Sequence, residues 1–260
     1  MILDCAGKSL DLACPRVMGI LNVTPDSFSD GGRYVTPDDA WRQAERMVAE
    51  GADILDVGGE STRPGAAAVA LDQELARVLP VIEGLRARFD VPVSVDTSKP
   101  SVMLAAVEAG AGMINDVTAL GAADAIETAA GLDVPICLMH MQGEPRTMQT
   151  EPQYDDVVAD IIEYLGARIA ACEAQGIDRS RLLVDPGFGF GKTLAHNLAL
   201  LGGLHDFAAL DLPILVGISR KSMLGTLTGR EVDGRMPGSV AAAVMAVERG
   251  AHILRVHDVG

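Results

Sequence analysis

The feature that most limits what this chain can become is a repeat. Short apolar runs occur at residues 16–23 (RVMGILNV), 52–59 (ADILDVGG), 91–97 (VPVSVDT), 111–117 (AGMINDV), 134–140 (VPICLMH), 181–187 (RLLVDPG), 212–220 (LPILVGISR) and 251–258 (AHILRVHD). Each is rich in Val, Ile and Leu, as strands buried on both faces are. Polar or glycine-rich stretches follow, and amphipathic helical stretches lie between many of the runs. These are residues 36–51, 71–89, 99–110, 154–176 and 238–250. Thr36 and Pro37 read as an N-cap and first helical residue, and Ser98 as the cap of the third helix. Pro80 should kink the second, and the nearly apolar 238–250 should be well buried.

Eight such units at roughly 30-residue spacing predict an α/β fold, a (β/α)8 TIM barrel. A doubly wound open sheet is the competing arrangement. The equal units, and the lack of GxGxxG after the first run, count against it. Residues 1–260 read as a single barrel domain. Before it, ILDCAGKSLDL reads as a short N-terminal β-hairpin turning at Gly7-Lys8 and plugging the barrel floor. A closed barrel needs a helix over the face between its first and last strands. None follows the eighth run in this sequence, so a further segment or a partner subunit is expected to cover that face.

The 260 residues carry a formal net charge of -15, which disfavours general attraction to nucleic acid or to an anionic membrane. No apolar stretch nears the length of a membrane span, and the N-terminus lacks a basic region. Cys5, Cys14, Cys137 and Cys172 form no CxxC pair and read as reduced thiols of a cytoplasmic protein, Cys137 as a core residue.

Barrel active sites lie at the C-terminal ends of the strands. Those ends carry Asn22, the stretch Gly58–Gly65, Asp96, Asn115 and Asp116, His140, Asp185, Ser219 to Lys221, and Arg255, His257 and Asp258. Each has an ordinary structural alternative. Asp96 could cap a helix, Asn115 could bond a neighbouring strand, Asp185 could cap a turn, and Lys221 could be a solvated lysine. His140 reads first as structural, and Met139, Phe190 and Leu215 would usually be core. Taken together, Asp96, Asn115 and Asp185 offer acceptors and an amide to a heterocycle carrying several N–H donors. Lys221 can donate to a ring carbonyl. Arg63, Arg255 and His257 supply positive charge for a phosphate or pyrophosphate. Asn22 and the loop TPDSFSD could position Mg²⁺, which takes oxygen ligands and keeps several waters. DPGFGFGKT lacks phosphate-loop spacing. Its two Phe residues could form a flat wall over a ring.

The blocks GILNVTPDSFSDGG, DVGGESTRPG, SVDTSKP, INDV, LMHMQG, DPGFGFGKT, GISRKS and RVHDV occur in this order. They resemble the signature blocks of the dihydropteroate synthases across residues 18–259. That resemblance implies a pterin-binding barrel of folate biosynthesis, a transferase. It would join p-aminobenzoate to 6-hydroxymethyl-7,8-dihydropterin pyrophosphate and release pyrophosphate by a dissociative, SN1-like displacement, with Mg²⁺ as cofactor. By matching motifs, Asp96, Asn115, Asp185 and Lys221 hold the pterin, and Met139, Gly189, Phe190, Leu215 and Gly217 line its pocket. Phe28, Thr62, Pro64 and Ser219 border the p-aminobenzoate site. Arg63, Arg255 and His257 attend the pyrophosphate, with Asn22 on its metal. The resemblance also implies a homodimer and inhibition by sulfonamides. Residues 22–32 would then be a lid closing with STRPG, hinged at Gly31-Gly32. The alternatives are a pterin-binding methyltransferase that passes a methyl group from methyl-tetrahydrofolate to a corrinoid, a non-catalytic paralogue, and a Schiff-base aldolase using Lys221.

Overall fold

The computed structural model describes residues 1–24, 36–62 and 65–260. The expected lid at 22–32, its Gly31-Gly32 hinge, Phe28, Arg63 and Pro64 therefore fall wholly or largely outside the described residues. The chain opens with an antiparallel hairpin, β1 (Ile2–Cys5) and β2 (Lys8–Asp11). Its turn is Ala6-Gly7, with φ of 54° and 84°, and not the expected Gly7-Lys8. Lys8 already pairs with Cys5 in the ladder. Two successive positive φ values suit a two-residue hairpin loop.

Parallel strands and helices then alternate, with two helices before the last strand: β3 (Arg16–Asn22), α1 (Pro37–Ala49), β4 (Ile54–Gly58), α2 (Leu71–Arg88), β5 (Val93–Asp96), α3 (Pro100–Ala109), β6 (Met113–Asp116), α4 (Ala125–Ala130), β7 (Ile136–Met139), α5 (Val157–Ala174), β8 (Leu182–Asp185), α6 (Leu194–Gly202), β9 (Leu215–Val216), α7 (Ser222–Thr228), α8 (Met236–Glu248) and β10 (Ile253–Val256). The order across the sheet is β8-β7-β6-β5-β4-β3-β10-β9. A parallel bridge between Val184 and Ile214 returns β8 to the start of β9, so the sheet curls into the predicted barrel. All eight apolar runs of the sequence contain one of these strands.

Strand alternation sorts the side chains. One set of inward residues (Met18, Ile54, Met113, Cys137, Leu183, Leu215 and Ile253) packs with Leu3, Cys5, Leu10 and Leu12 of the hairpin segment. The hairpin is thus the floor of the barrel, as expected. Residues two positions further along face the same interior, one layer nearer the C-terminal mouth. These are Asp56, Asn115, Met139, Asp185, Gly217 and Arg255. The apolar floor therefore fixes the height at which the polar residues sit. Outward-facing Val57, Val95, Ile114, Leu138 and Val184 pack against the helices.

Several local expectations change. Thr36 caps α1 and forms a capping box with Asp39, as its sequence suggests. Ser98 does not cap α3; Lys99 stands at the N-cap position and makes no side-chain cap. Its ammonium is instead engaged by Glu60 and Glu74. Helix α2 continues through Pro80. Ala76 and Pro80 are both exposed, so the carbonyl that Pro80 leaves without a donor faces solvent. Helix α8 is not well buried. Only Ser239, Ala242 and Ala246 are inside, while Met236, Val240, Val244 and Met245 are exposed. Among the described residues, nothing packs on that side of the helix. The short helices α4, α6 and α7 have no counterpart in the sequence reading. At 6, 9 and 7 residues they hold too few turns for a clear period. Among the described residues, no helix is long and apolar enough to cross a membrane.

Candidate active site

The inward upper layer is a polar cluster inside a wall of aliphatic strands. Arg255 crosses it. Its Nε donates to Asp56 Oδ2 at 2.6 Å and its Nη2 to Asp96 Oδ2 at 2.7 Å. Asn115 Nδ2 donates to the same Asp56 oxygen at 3.1 Å. Only the NH2 end of an amide can approach a carboxylate this way, so Asn115 Oδ1 must point elsewhere. That atom and Asp56 Oδ1 are both buried and have no hydrogen-bond partner among the described residues. Buried acceptors left open in this way are costly unless something donates to them.

The second half of the cluster lies across the mouth. Lys221 Nζ donates to the Phe188 carbonyl oxygen and stands 4.3 Å from the centroid of the Phe190 ring. Asp185 Oδ1 accepts from the Gly187 N–H at 2.7 Å. Ser219 and His257 are joined: Ser219 Oγ lies 3.1 Å from both the backbone N and Nδ1 of His257. Asn22 and Asp96 flank Gly58. A methyl group there would lie 3.4 Å from Asn22 Oδ1 and 3.5 Å from Asp96 Cβ.

Burial sets the electrostatics. It pushes Asp96 up to about 7 against the pull of Arg255, with Asp56 adding to the rise. Asp185 is raised for the same reason, though Lys221 opposes the shift. Burial lowers Lys221 to about 7 despite Asp185. Arg255 is held well above its usual range because Asp56 and Asp96 outweigh its own burial. Among the described residues, the pocket thus sets a permanent cation, Arg255, beside Asp96 and Lys221, which titrate near neutrality.

Of the sequence-predicted residues, the structure brings Asn22, Asp96, Asn115, Asp185, Lys221, Gly189, Phe190, Ser219, Arg255 and His257 to the mouth. Met139 and Gly217 line the same interior layer. Leu215 sits one layer lower, in the floor. Thr62 begins the segment beyond the mouth and is partly buried. Arg255, expected on a pyrophosphate, is tied here to Asp56 and Asp96. Asp56 was missed. The reading took the last residue of each run, and Asp56 lies two positions earlier. A lone carboxylate inside the apolar run ADILDVGG was the available signal. Glu74 was also missed. It is buried and accepts from Thr97 Oγ1 at 2.6 Å. With Lys99 and Glu60 it ties α2 and α3 to the segment after β4. Among the described residues, no group of three or more His, Cys, Asp or Glu is arranged to hold a metal ion.

A barrel whose mouth presents buried carboxylates, an amide and a lysine to a flat aromatic wall defines the class: residues 18–257 match the family described as pterin binding enzyme. The chain is 55% identical over 259 residues to the dihydropteroate synthase of Escherichia coli strain K12, spanning 100% of this chain and 92% of that protein. The dihydropteroate synthase of Yersinia pestis, solved as a sulfonamide drug complex, superposes with a TM-score of 0.96 at 54% identity, covering 100% of this chain and 94% of that one. The enzyme from Xanthomonas albilineans in complex with 7,8-dihydropteroate gives 0.91 at 53% identity, covering 100% and 94%. The chain belongs to the dihydropteroate synthase family of pterin-binding enzymes.

Proposed function

We propose that this barrel joins p-aminobenzoate to 6-hydroxymethyl-7,8-dihydropterin pyrophosphate, giving 7,8-dihydropteroate and pyrophosphate in folate biosynthesis. The observation that carries the reading is a pair of buried acceptors, Asp56 Oδ1 and Asn115 Oδ1, open among the described residues in the layer that also holds Asp185. A reduced pterin edge supplies the N–H donors such a pocket lacks, and its carbonyl suits the Lys221 ammonium. Phe190 provides a face for the ring.

The chemistry follows from the charge layout. The bond between the pterin methylene carbon and the pyrophosphate oxygen breaks with its electron pair leaving on oxygen. The resulting cation spreads into the electron-rich ring. Asp96 and Asp185 stabilise that charge, while Arg255 and His257 face the anion that grows beside it. The p-aminobenzoate nitrogen then forms the new C–N bond and releases a proton to solvent. A weakly basic amine attacking a cation needs no strong general base. Thr62 and Ser219, with Phe28 and Pro64, would border this amine, and Arg63 would join the anion site.

Mg²⁺ is part of the same reading. Asn22 Oδ1 beside the side-chain-free Gly58 fits an ion that takes one protein oxygen and completes its shell with phosphate oxygens and water. Bound there, the ion would neutralise charge on the leaving group. The reading extends to a cytoplasmic homodimer. The exposed apolar side chains of α8 and the four free cysteines support it, and sedimentation of the purified chain tests the dimer.

The test is direct: dihydropterin pyrophosphate, p-aminobenzoate and Mg²⁺ are mixed with the protein and pyrophosphate is measured. Release that depends on the amine is expected; none would overturn the reading. The pH profile adds a second check. Below about pH 7 Asp96 takes up a proton and loses its charge, and above about pH 7 Lys221 loses one. A bell-shaped kcat/KM for the dihydropterin substrate, centred near neutrality, is therefore expected. A profile flat from pH 5.5 to 8.5 would remove both groups from the scheme.

A further inference from the structure

The loop after β8, DPGFGFGK, ends in a lysine that the reaction scheme does not use. Lys192 is 3% exposed, yet it forms no ion pair among the described residues. Its Nζ meets three acceptors instead: the Gly187 carbonyl at 2.8 Å, the Phe190 carbonyl at 2.9 Å and His140 Nδ1 at 3.0 Å. An ammonium has three protons, and here each has a partner. The match fixes the other side too. Burial, with Lys221 nearby, lowers Lys192 to about 7; while it is an ammonium, His140 presents a lone pair at Nδ1 and carries its proton on Nε2. Burial, reinforced by the neighbouring Lys192, pushes His140 down to about 3, which keeps the ring neutral. Its ring is held edge-on to Tyr164, with centroids 4.9 Å apart.

The consequence lies on the far side of the loop. Lys192 draws the carbonyls of residues 187 and 190 to one point, and the Gly189 N–H is anchored separately on Asn197 Oδ1 at 2.8 Å. With both ends and the middle tied down, the Phe188 carbonyl and the Phe190 ring are left facing Lys221. A side chain on Gly189 would come within 3.0 Å of Lys221 Cδ, so this loop and Lys221 pack without slack.

We propose that Lys192 is a positioning residue for the dihydropterin: seated on His140 Nδ1, it sets the loop surface on which Phe190 and Lys221 hold the ring. The proposal rests on the substrate reading above. It concerns the pterin half of the site alone, so the p-aminobenzoate half should not feel its loss.

The test uses the full chain, with dihydropterin pyrophosphate as the calorimetric probe and pyrophosphate release for kinetics. Lys192→Met keeps the unbranched side chain as far as Cε and removes all three donors. Its Kd and KM for the dihydropterin should rise by about tenfold or more, as expected when buried acceptors lose their donor. The KM for p-aminobenzoate should move less than about twofold. His140→Asn can place Oδ1 where Nδ1 stood and should stay near wild type, whereas His140→Leu should resemble Lys192→Met. Wild-type pterin affinity in Lys192→Met, equal losses for both substrates, or equal defects in the two His140 variants would each overturn the proposal. If Lys192→Met does not fold, the His140 pair decides. A wild-type protein that releases no pyrophosphate would count against the substrate reading instead, since binding of the probe still reports on Lys192.

Discussion

In Asp96→Asn, kcat should fall by about two orders of magnitude while Kd for the dihydropterin pyrophosphate rises only a few-fold. The substitution keeps the shape of the side chain. Its amide oxygen can still accept from Arg255 Nη2, which now bonds Asp96 at 2.7 Å. What is lost is a negative charge, and that charge matters most when the ring becomes cationic. An interaction that strengthens in the transition state lowers kcat more than binding when it is removed. Equal losses in kcat and affinity would contradict the assignment. Stability gives an independent check. The native state raises Asp96 to about 7, so between the unfolded value near 4 and about 7 the folded protein binds the proton better. The stability this contributes is full below that window and is lost as pH rises through it. Asn carries no such cost. The melting temperature of the variant relative to wild type should therefore climb between pH 4 and pH 7.

How much of this was legible follows from where each residue's constraint lies. The barrel could be read because every strand is buried on both faces, which leaves a continuous apolar run in the sequence. The mouth could be read because polar residues at the ends of such runs have few other reasons to be there. Asp56 escaped because it sits within a run, where nothing local separates an inward carboxylate from an error in the strand assignment. Its role appears only when the Arg255 guanidinium, 199 residues away, closes on it. Lys192 and His140 are separated by 52 residues and meet only because β7 and β8 are neighbours. The apolar α8 misled for the opposite reason. Its composition is that of a buried helix, but burial depends on what covers it, and no local pattern records that.

The largest effect on stability is expected from a single methyl group. In Gly187→Ala the new Cβ would lie 1.9 Å from the His140 carbonyl oxygen, at a residue whose φ is +71°. Neither side can yield cheaply. The His140 N–H is bonded to the Asp185 carbonyl at 3.0 Å, which ties the end of β7 to the end of β8. Gly187 is held by its own N–H on Asp185 Oδ1 and by its carbonyl on Lys192 Nζ. Backbone strain and overpacking together should cost about 3 kcal/mol or more. Gly202→Ala is the matched control. Its Cβ would meet nothing within 4 Å, and the residue closes α6. That variant should be neutral or gain up to about 1 kcal/mol from a less flexible unfolded chain. Denaturant unfolding of both proteins reads the difference. The functional effect has the same cause. Any shift that relieves the clash withdraws the N–H from Asp185 and moves the loop carrying Phe188 and Phe190 away from Lys221. Whatever Gly187→Ala protein folds should thus bind dihydropterin pyrophosphate at least about tenfold more weakly. A variant as stable as Gly202→Ala, with unchanged pterin affinity, would mean that the β7–β8 junction is far more pliant than its hydrogen bonds imply.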